Sequence, residues 1–117
     1  MSARFTRCAR LSRKAEFQRV FEQPIRSGDR YFTVLARPNE LGHPRLGLAI
    51  SRKAAKSAVA RNRIKRIVRD SFRHHQTEID GFDVVVMGRP QMAGHDNAAL
   101  FTSLQRHWAR LVAWAKS

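Results

Sequence analysis

Between Ser57 and Arg73 the sequence reads SAVARNRIKRIVRDSFR, and its polar residues are of the kinds that bind phosphate. Arg61, Arg63, Arg66 and Arg69 each carry a planar fork that can donate two parallel hydrogen bonds to a phosphate. Asn62, set between two arginines, can address a base edge, a 2′-hydroxyl or a backbone group, which lysine could not do selectively. Lys65 and Arg73 add charge, as do Arg52, Lys53 and Lys56 just upstream. Asp70 alone opposes them within the stretch. A solvated helix commonly offsets its cations with Glu or Asp at i,i+4 spacing. This one hardly does, so its counter-charge is expected to come from a polyanion.

Bond-making chemistry has no comparable support. A protein nuclease needs clustered carboxylates to hold divalent metals. The acidic residues Glu16, Glu22, Asp29, Glu40, Asp70, Glu78, Asp80, Asp83 and Asp96 are scattered. The nearest to a pair, Asp80 and Asp83, is split between a strand and the residues before it. His74 and His75 are adjacent and so face different ways on a helix. His43, His95 and His107 fall in loops or on the last helix, where solvent exposure or a helix-end role is expected. Cys8 is the only cysteine, which rules out an internal disulfide and a cysteine-built zinc site. There is no glycine-rich phosphate loop. No catalytic and no metal-ligating residue is assigned.

The helix that presents the cations is two-sided. At 100° per residue, Ala60, Ile64, Ile67, Val68 and Phe72 fall on one side with Ser71; Asn62, Lys65, Arg66, Arg69 and Arg73 fall on the other, with Arg61 and Arg63 on the two shoulders. Ser57 is expected to cap its start, and the helix should end near His74 and His75. Upstream, Ser12 to about Gln23 is predicted as a short helix capped by Ser12, with Phe17, Val20 and Phe21 on one face. About three turns cannot persist alone in water, so this helix must dock.

Pro24 and then Ser27-Gly28-Asp29 are read as a turn. Tyr31 to Arg37 is a strand, with Phe32, Val34 and Ala36 on one side. A second strand, Arg45 to Ser51, is bulky on one face (Leu46, Leu48, Ile50) and small on the other (Gly47, Ala49, Ser51). That small face suits close helix packing or a shallow groove for single-stranded nucleic acid. Joined by a short loop, the two strands are expected to pair antiparallel. Gly81 opens FDVVVMG, apolar on both faces as an interior strand is. A last helix from Asp96 or Asn97 aligns Leu100, Leu104, Trp108, Leu111, Val112 and Ala115. The order α-β-β-α-β-α makes an α+β fold, a small sheet of three to four strands packed with three helices. The second strand, the basic helix and the third strand form a βαβ unit.

The 117 residues are read as a single RNA-binding domain, 1–117, with 1–11 as a basic N-terminal tail. A 43% hydrophobic content fits a folded chain. The formal charge of +14 favours an anionic partner, nucleic acid ahead of a membrane surface. No apolar run approaches the roughly 20 residues of a membrane helix. The Arg-rich, acid-free opening shares the character of an organellar transit peptide, but a basic tail leading into the first helix is preferred. Duplex DNA fits the charge, yet no helix-turn-helix or zinc-finger spacing accompanies it.

Arg61-Asn62-Arg63-Ile64-Lys65-Arg66, preceded by GLAISRK at 47–53 and followed by Arg69, resembles the protein subunit of bacterial ribonuclease P. The likeness runs from Arg10-Leu11 and the Phe17-x-x-Val20-Phe21 helix to the final helix. It implies the accessory protein, not catalytic alone, of a ribonucleoprotein endoribonuclease. There the RNA removes the 5′ leader of precursor tRNA by magnesium-dependent phosphodiester hydrolysis. The implied partners are the catalytic RNA and precursor tRNA, with Mg2+ held mainly by the RNA, no small-molecule cofactor, no membrane and a cytoplasmic location.

By the same resemblance Arg61, Asn62, Arg63, Lys65, Arg66 and Arg69 face the catalytic RNA, and Arg52, Lys53, Lys56 and Arg73 join them as RNA-binding residues. Phe17 and Phe21, with Thr33, Ala49 and Ser51, are implied to line a cleft between the first helix and the sheet that holds the leader. Leu35 falls where some members carry an aromatic. The family also implies a left-handed βαβ crossover, against the general right-handed rule. The alternative reading of the same charge pattern is a general RNA-binding or ribosome-associated protein with no role in catalysis.

Overall fold

A computed structural model describes residues 10–11, 13–39, 41–90 and 92–116. The proposed Ser12 cap, Cys8, Glu40 and most of the basic tail lie outside the described residues. The elements are α1 (Lys14–Phe21), β1 (Ile25–Gly28), β2 (Phe32–Pro38), β3 (Arg45–Ala49), α2 (Ala58–His74), β4 (Phe82–Gly88), a 3-10 turn (Met92–Gly94) and α3 (Asn97–Lys116). The sheet runs β1-β2-β4-β3, with β1 and β4 antiparallel to β2, and β3 parallel to β4.

Two expectations are corrected here. The strands at 32–38 and 45–49 are not neighbours, because β4 lies between them. Val84, Val85 and Val86 are fully buried, so β4 has no face to give to water and takes an interior place, separating strands that a short loop would have paired. The segment after Pro24 is not simply a turn. Ile25–Gly28 is a fourth strand in register with β2, Ile25 opposite Ala36 and Gly28 opposite Thr33.

Alternation along the strands gives the sheet two unlike faces. On one, Phe32, Val34, Ala36, Leu46, Val84 and Val86 join Ile64, Ile67, Val68 and Phe72 of α2 and Leu100, Leu104, Trp108 and Leu111 of α3 in the main core. Ala115 of the expected α3 stripe is exposed. On the other face Leu35, Val85, Leu11 and Val20 form a smaller cluster, with Phe17 and Met87 packed against it. Arg10 and Leu11, the end of the stretch read as a tail, lie against the outer edge of β3, where the Leu11 N–H donates to Leu46 O at 2.9 Å.

His107 is also corrected, from exposed to fully buried. Its Nδ1 is 2.6 Å from Ser27 Oγ on β1 and its Nε2 is 3.1 Å from Asp29 Oδ2. Asp29 takes the Tyr31 and Phe32 N–H groups on Oδ1 (2.8 and 2.9 Å) and the Ser103 hydroxyl on Oδ2. Arg110 donates to Ser27 Oγ at 2.9 Å and to Gly28 O at 3.3 Å. This polar cluster fastens the β1 edge to α3. Burial holds the His107 imidazole below its ordinary pKa, only partly offset by Asp29. Burial acts on Asp29 too and would raise it, but the hydrogen bonds from Ser103, Phe32 and Tyr31 outweigh it and hold the carboxyl below its usual value.

Candidate nucleic-acid interface

The cationic helix forms as its pattern dictates. Ser57 Oγ accepts from Ala60 N at 3.0 Å, filling one of the orphan donors of the first turn. Ile64, Ile67, Val68, Ser71 and Phe72 are buried, and the Ser71 hydroxyl accepts from the Trp108 indole at 2.8 Å. The expected buried side is therefore the observed one, and it turns the opposite side outward.

The outward residues differ in their duties. Asn62 and Arg66 are exposed one turn apart, and Arg52, Lys53 and Lys56 are exposed on the approach to the helix. Arg61 and Arg63 are half-buried clamps. Arg61 donates to Ala55 O and Lys56 O at 3.1 and 2.9 Å, tying down the approach loop. Arg63 donates to Asn97 Oδ1 at 2.5 Å and to His95 O at 3.4 Å, joining α2 to the start of α3. Each guanidinium has five N–H donors, so these bonds orient a fork that still has donors to give. Lys65 and Arg69 are half-buried. Arg73 is paired with Asp70 at 3.0 Å, the ion pair that reduces the ridge's charge at its far end. His74 Nδ1 lies 2.7 Å from Asp70 O, within the last turn.

Across the other face of the sheet lies α1. Glu16 accepts from Arg13 N at 2.9 Å and pairs with Arg45, which also forks onto Asp83 (Nε to Oδ1 2.8 Å, NH2 to Oδ2 2.7 Å). Asp83 is 1% exposed and takes a further bond from Asn39 Nδ2 at 2.8 Å. The bonded Asp83 carboxylate raises the pKa of the Arg45 guanidinium still further, against the opposing effect of burial. At the other end of α1, Arg37 donates to Arg19 O and Glu22 O (3.0 and 2.9 Å), while Arg19 reaches Pro38 O at 3.2 Å. These clamps were not read from the sequence. The available signal was Asp83 itself, an acid inside a run of valines, which needs a buried cation beside it.

So held, α1 lays Phe17 directly over Gly47: a Cβ there would stand 2.7 Å from the Phe17 ring. Glycine is required by close approach, which decides between the two readings of the small face at this position in favour of helix packing. Phe21 is 48% exposed. Ala49 and Ser51 are exposed, whereas Thr33 is 5% exposed and supplies floor rather than contact. Arg69 of α2 and Phe17 of α1 line one hollow with Arg10, Leu11, Leu46 and Leu48 at the edge of β3, so the cationic ridge and the α1 side of the sheet meet there.

The ribonuclease P family model matches residues 5–112. The chain belongs to the ribonuclease P protein family. It is 52% identical over 108 residues to the ribonuclease P protein component of Methylococcus capsulatus, covering 92% of this chain and 84% of that one. With the corresponding protein of Thioalkalivibrio sulfidiphilus it shares 49% identity over 107 residues, covering 92% and 89%. The solved ribonuclease P protein of Staphylococcus aureus has a similar fold (TM-score 0.78, 32% identity, 84% of this chain and 90% of that one). So has that of Thermotoga maritima (TM-score 0.75, 31% identity, 86% and 96%).

The ribonuclease P protein is a subunit of a ribonucleoprotein endonuclease, and its role is processing of the tRNA 5′ leader together with the RNA subunit. Membership therefore supplies the anionic partner that the charge pattern demands, the ribonuclease P RNA. Among the described residues no helix is long and apolar enough to cross a membrane.

Proposed function

We propose that α2 and its approach loop dock on the backbone of the catalytic RNA through Arg52, Lys53, Lys56, Arg61, Asn62, Arg63, Lys65, Arg66, Arg69 and Arg73, and that the α1 side of the sheet holds the precursor tRNA leader. The whole chain acts as one RNA-binding domain, the basic tail adding to its charge, and it works in the cytoplasm. The observation that carries this reading is the outward side of α2, where Asp70 is paired with Arg73 at the end and the cations before it face solvent or are braced by backbone carbonyls and an amide. Phe17 and Phe21, with Thr33, Ala49 and Ser51, are the leader-side residues.

Magnesium in this reading is carried by RNA phosphates. The described residues gather no group of three His, Cys, Asp or Glu side chains fit to hold a metal ion, and the carboxylates of Asp83 and Asp29 are engaged by Arg45, Asn39 and Ser103. The protein lowers repulsion between two RNAs and so helps the RNA retain its ions.

The test is cleavage of precursor tRNA at low magnesium, with and without the cognate RNA. Cleavage should require the RNA and be stimulated by the protein. Cleavage by the protein alone would make it a nuclease, and equal binding of unrelated RNAs would make it a general RNA-binding protein. Arg66→Ala should weaken RNA binding and flatten its log–log salt dependence by about one unit. Phe17→Ala should weaken binding of leader-bearing precursor more than that of mature tRNA.

A further inference from the structure

The ridge on α2 has two flanks, and they differ. Toward the α1 side of the sheet stands Arg69, at the hollow it shares with Phe17. Toward α3 a second hollow of about 460 Å³ opens, in the size range of small-ligand sites. Val59, Asn62, Arg66 and Asp70 follow one another along its α2 wall, and Asn97 and Phe101, one turn apart, line its α3 wall.

Phosphate contact alone does not account for this lining. Val59 is 81% exposed, more than any other large apolar side chain among the described residues, and Phe101 on the facing helix is half-buried. Asp70 is the one carboxylate between Ser57 and Arg73, and it would repel a phosphate. Arg73 takes its Oδ1 at 3.0 Å, yet the side chain stays 41% exposed. Asn97 gives its Oδ1 to Arg63 at 2.5 Å. Because arginine only donates, that bond sets which way the Asn97 amide faces and leaves its N–H groups to donate elsewhere.

Apolar surface beside an acceptor and two amides suits an unpaired base, which needs a stacking face and a partner for its edge. A carboxylate discriminates among the bases because it only accepts. Guanine alone offers it two adjacent donors, the ring N–H and the neighbouring amine. Uracil flanks its one N–H with carbonyls, and adenine and cytosine set an amine beside an acceptor nitrogen. The guanine carbonyl is left for an amide of Asn62 or Asn97.

We propose that the hollow between α2 and α3 holds an unpaired guanine of the RNA subunit, its ring against Val59 and Phe101 and its donor edge on Asp70. This rests on the reading that α2 docks on that RNA. The ridge is then placed on the RNA by one base as well as by phosphates.

The test measures binding of the full chain to its cognate ribonuclease P RNA and to an unrelated RNA of equal length. Asp70→Asn raises the charge of the ridge by one and releases Arg73, so on charge alone both RNAs should bind more tightly. With a guanine in the hollow, the cognate RNA should instead bind on the order of ten-fold more weakly, and the unrelated RNA should not weaken. Val59→Ser, at a position too exposed to matter for folding, should weaken the cognate RNA by about five-fold and leave its log–log salt slope unchanged. A carbodiimide, which modifies the ring N–H of unpaired guanine, should find one guanine shielded by the wild-type chain and open with Asp70→Asn. Tighter or unchanged cognate binding by Asp70→Asn, equal losses on both RNAs, or no shielded guanine would overturn the site. Arg69→Ala, on the other flank, separates the two readings. If it weakens binding and flattens the slope while Asp70→Asn does not weaken the cognate RNA, the guanine site fails and the ridge stands. If Arg69→Ala changes neither affinity nor slope, the ridge fails and the guanine site with it.

Discussion

The two faces of the sheet are held by different physics. Under α2 and α3 the contact is apolar and continuous, with Phe32, Val34, Val84, Val86, Ile64, Phe72, Leu104 and Trp108 all fully buried. Across the other face α1 is eight residues long and buries one side chain of its own, Val20. Its pose comes from Arg45 between Glu16 and Asp83, and from Arg37 on its last carbonyls. Apolar sealing makes a stiff base for the cationic ridge, whereas directional ion pairs fix where α1 sits without burying much area. A short helix can thus carry a binding wall, provided the sheet offers it charged anchors.

The largest expected effect lies on the sealed face. Trp108→Ala removes the ring that packs edge-on against Phe72 and leaves the Ser71 hydroxyl without its indole, and should cost about 3–5 kcal/mol in denaturant unfolding. A smaller loss there than on the α1 side would reverse the comparison. Next comes Asp83→Ala, which strands Arg45 beside Glu16 alone and should cost about 3 kcal/mol. Its signature is local: hydrogen exchange should rise in Lys14–Phe21 before it rises in Ala58–His74. Equal loss of protection in both helices would erase the distinction drawn here.

A weaker effect is a pH dependence of the β1–α3 join. The pKa of His107 is depressed in the folded chain, so below its ordinary value of 6.5 the unfolded chain binds the extra proton and stability falls as pH drops. Asp29, also depressed, contributes stability above 3.8 that is lost at lower pH still. His107→Gln should flatten the stability slope on the acid side of pH 6.5; an unchanged slope would remove His107 from the account. The smallest is Ser57→Ala, worth about 1 kcal/mol through the lost cap, measurable by thermal unfolding with RNA affinity otherwise retained.

How legible each part was follows from whether its signal is local. In α2 a cap, a 3.6-residue period and a two-sided composition sit in adjacent residues, and the cap and buried side are as read. The α3 stripe was read the same way, and His107 could have been found there. It stands three residues after Leu104 and four before Leu111, but its polarity removed it from the apolar count. Strand β1 was missed because its inward residues are Ile25 and Ser27, and Ser27 is tolerated inside only because His107 and Arg110, far along the chain, bond to it. The pairing of β2 with β3 failed for the same reason: loop length is local, while the demand of β4 for cover on both faces is not. On the candidate interface the residue types were legible. The bracing of Arg61 and Arg63, and the clamps on α1, depend on partners that spacing does not reveal.

The central strand being the last one made has a consequence for synthesis. As the chain leaves the ribosome, the first hairpin and β3 emerge with unpaired edges, and nothing already made can lie between them. Not until Gly88 is free can a single insertion close both sides at once. Until then the nascent chain is basic, open-edged and surrounded by RNA, a state that favours rapid completion over long residence.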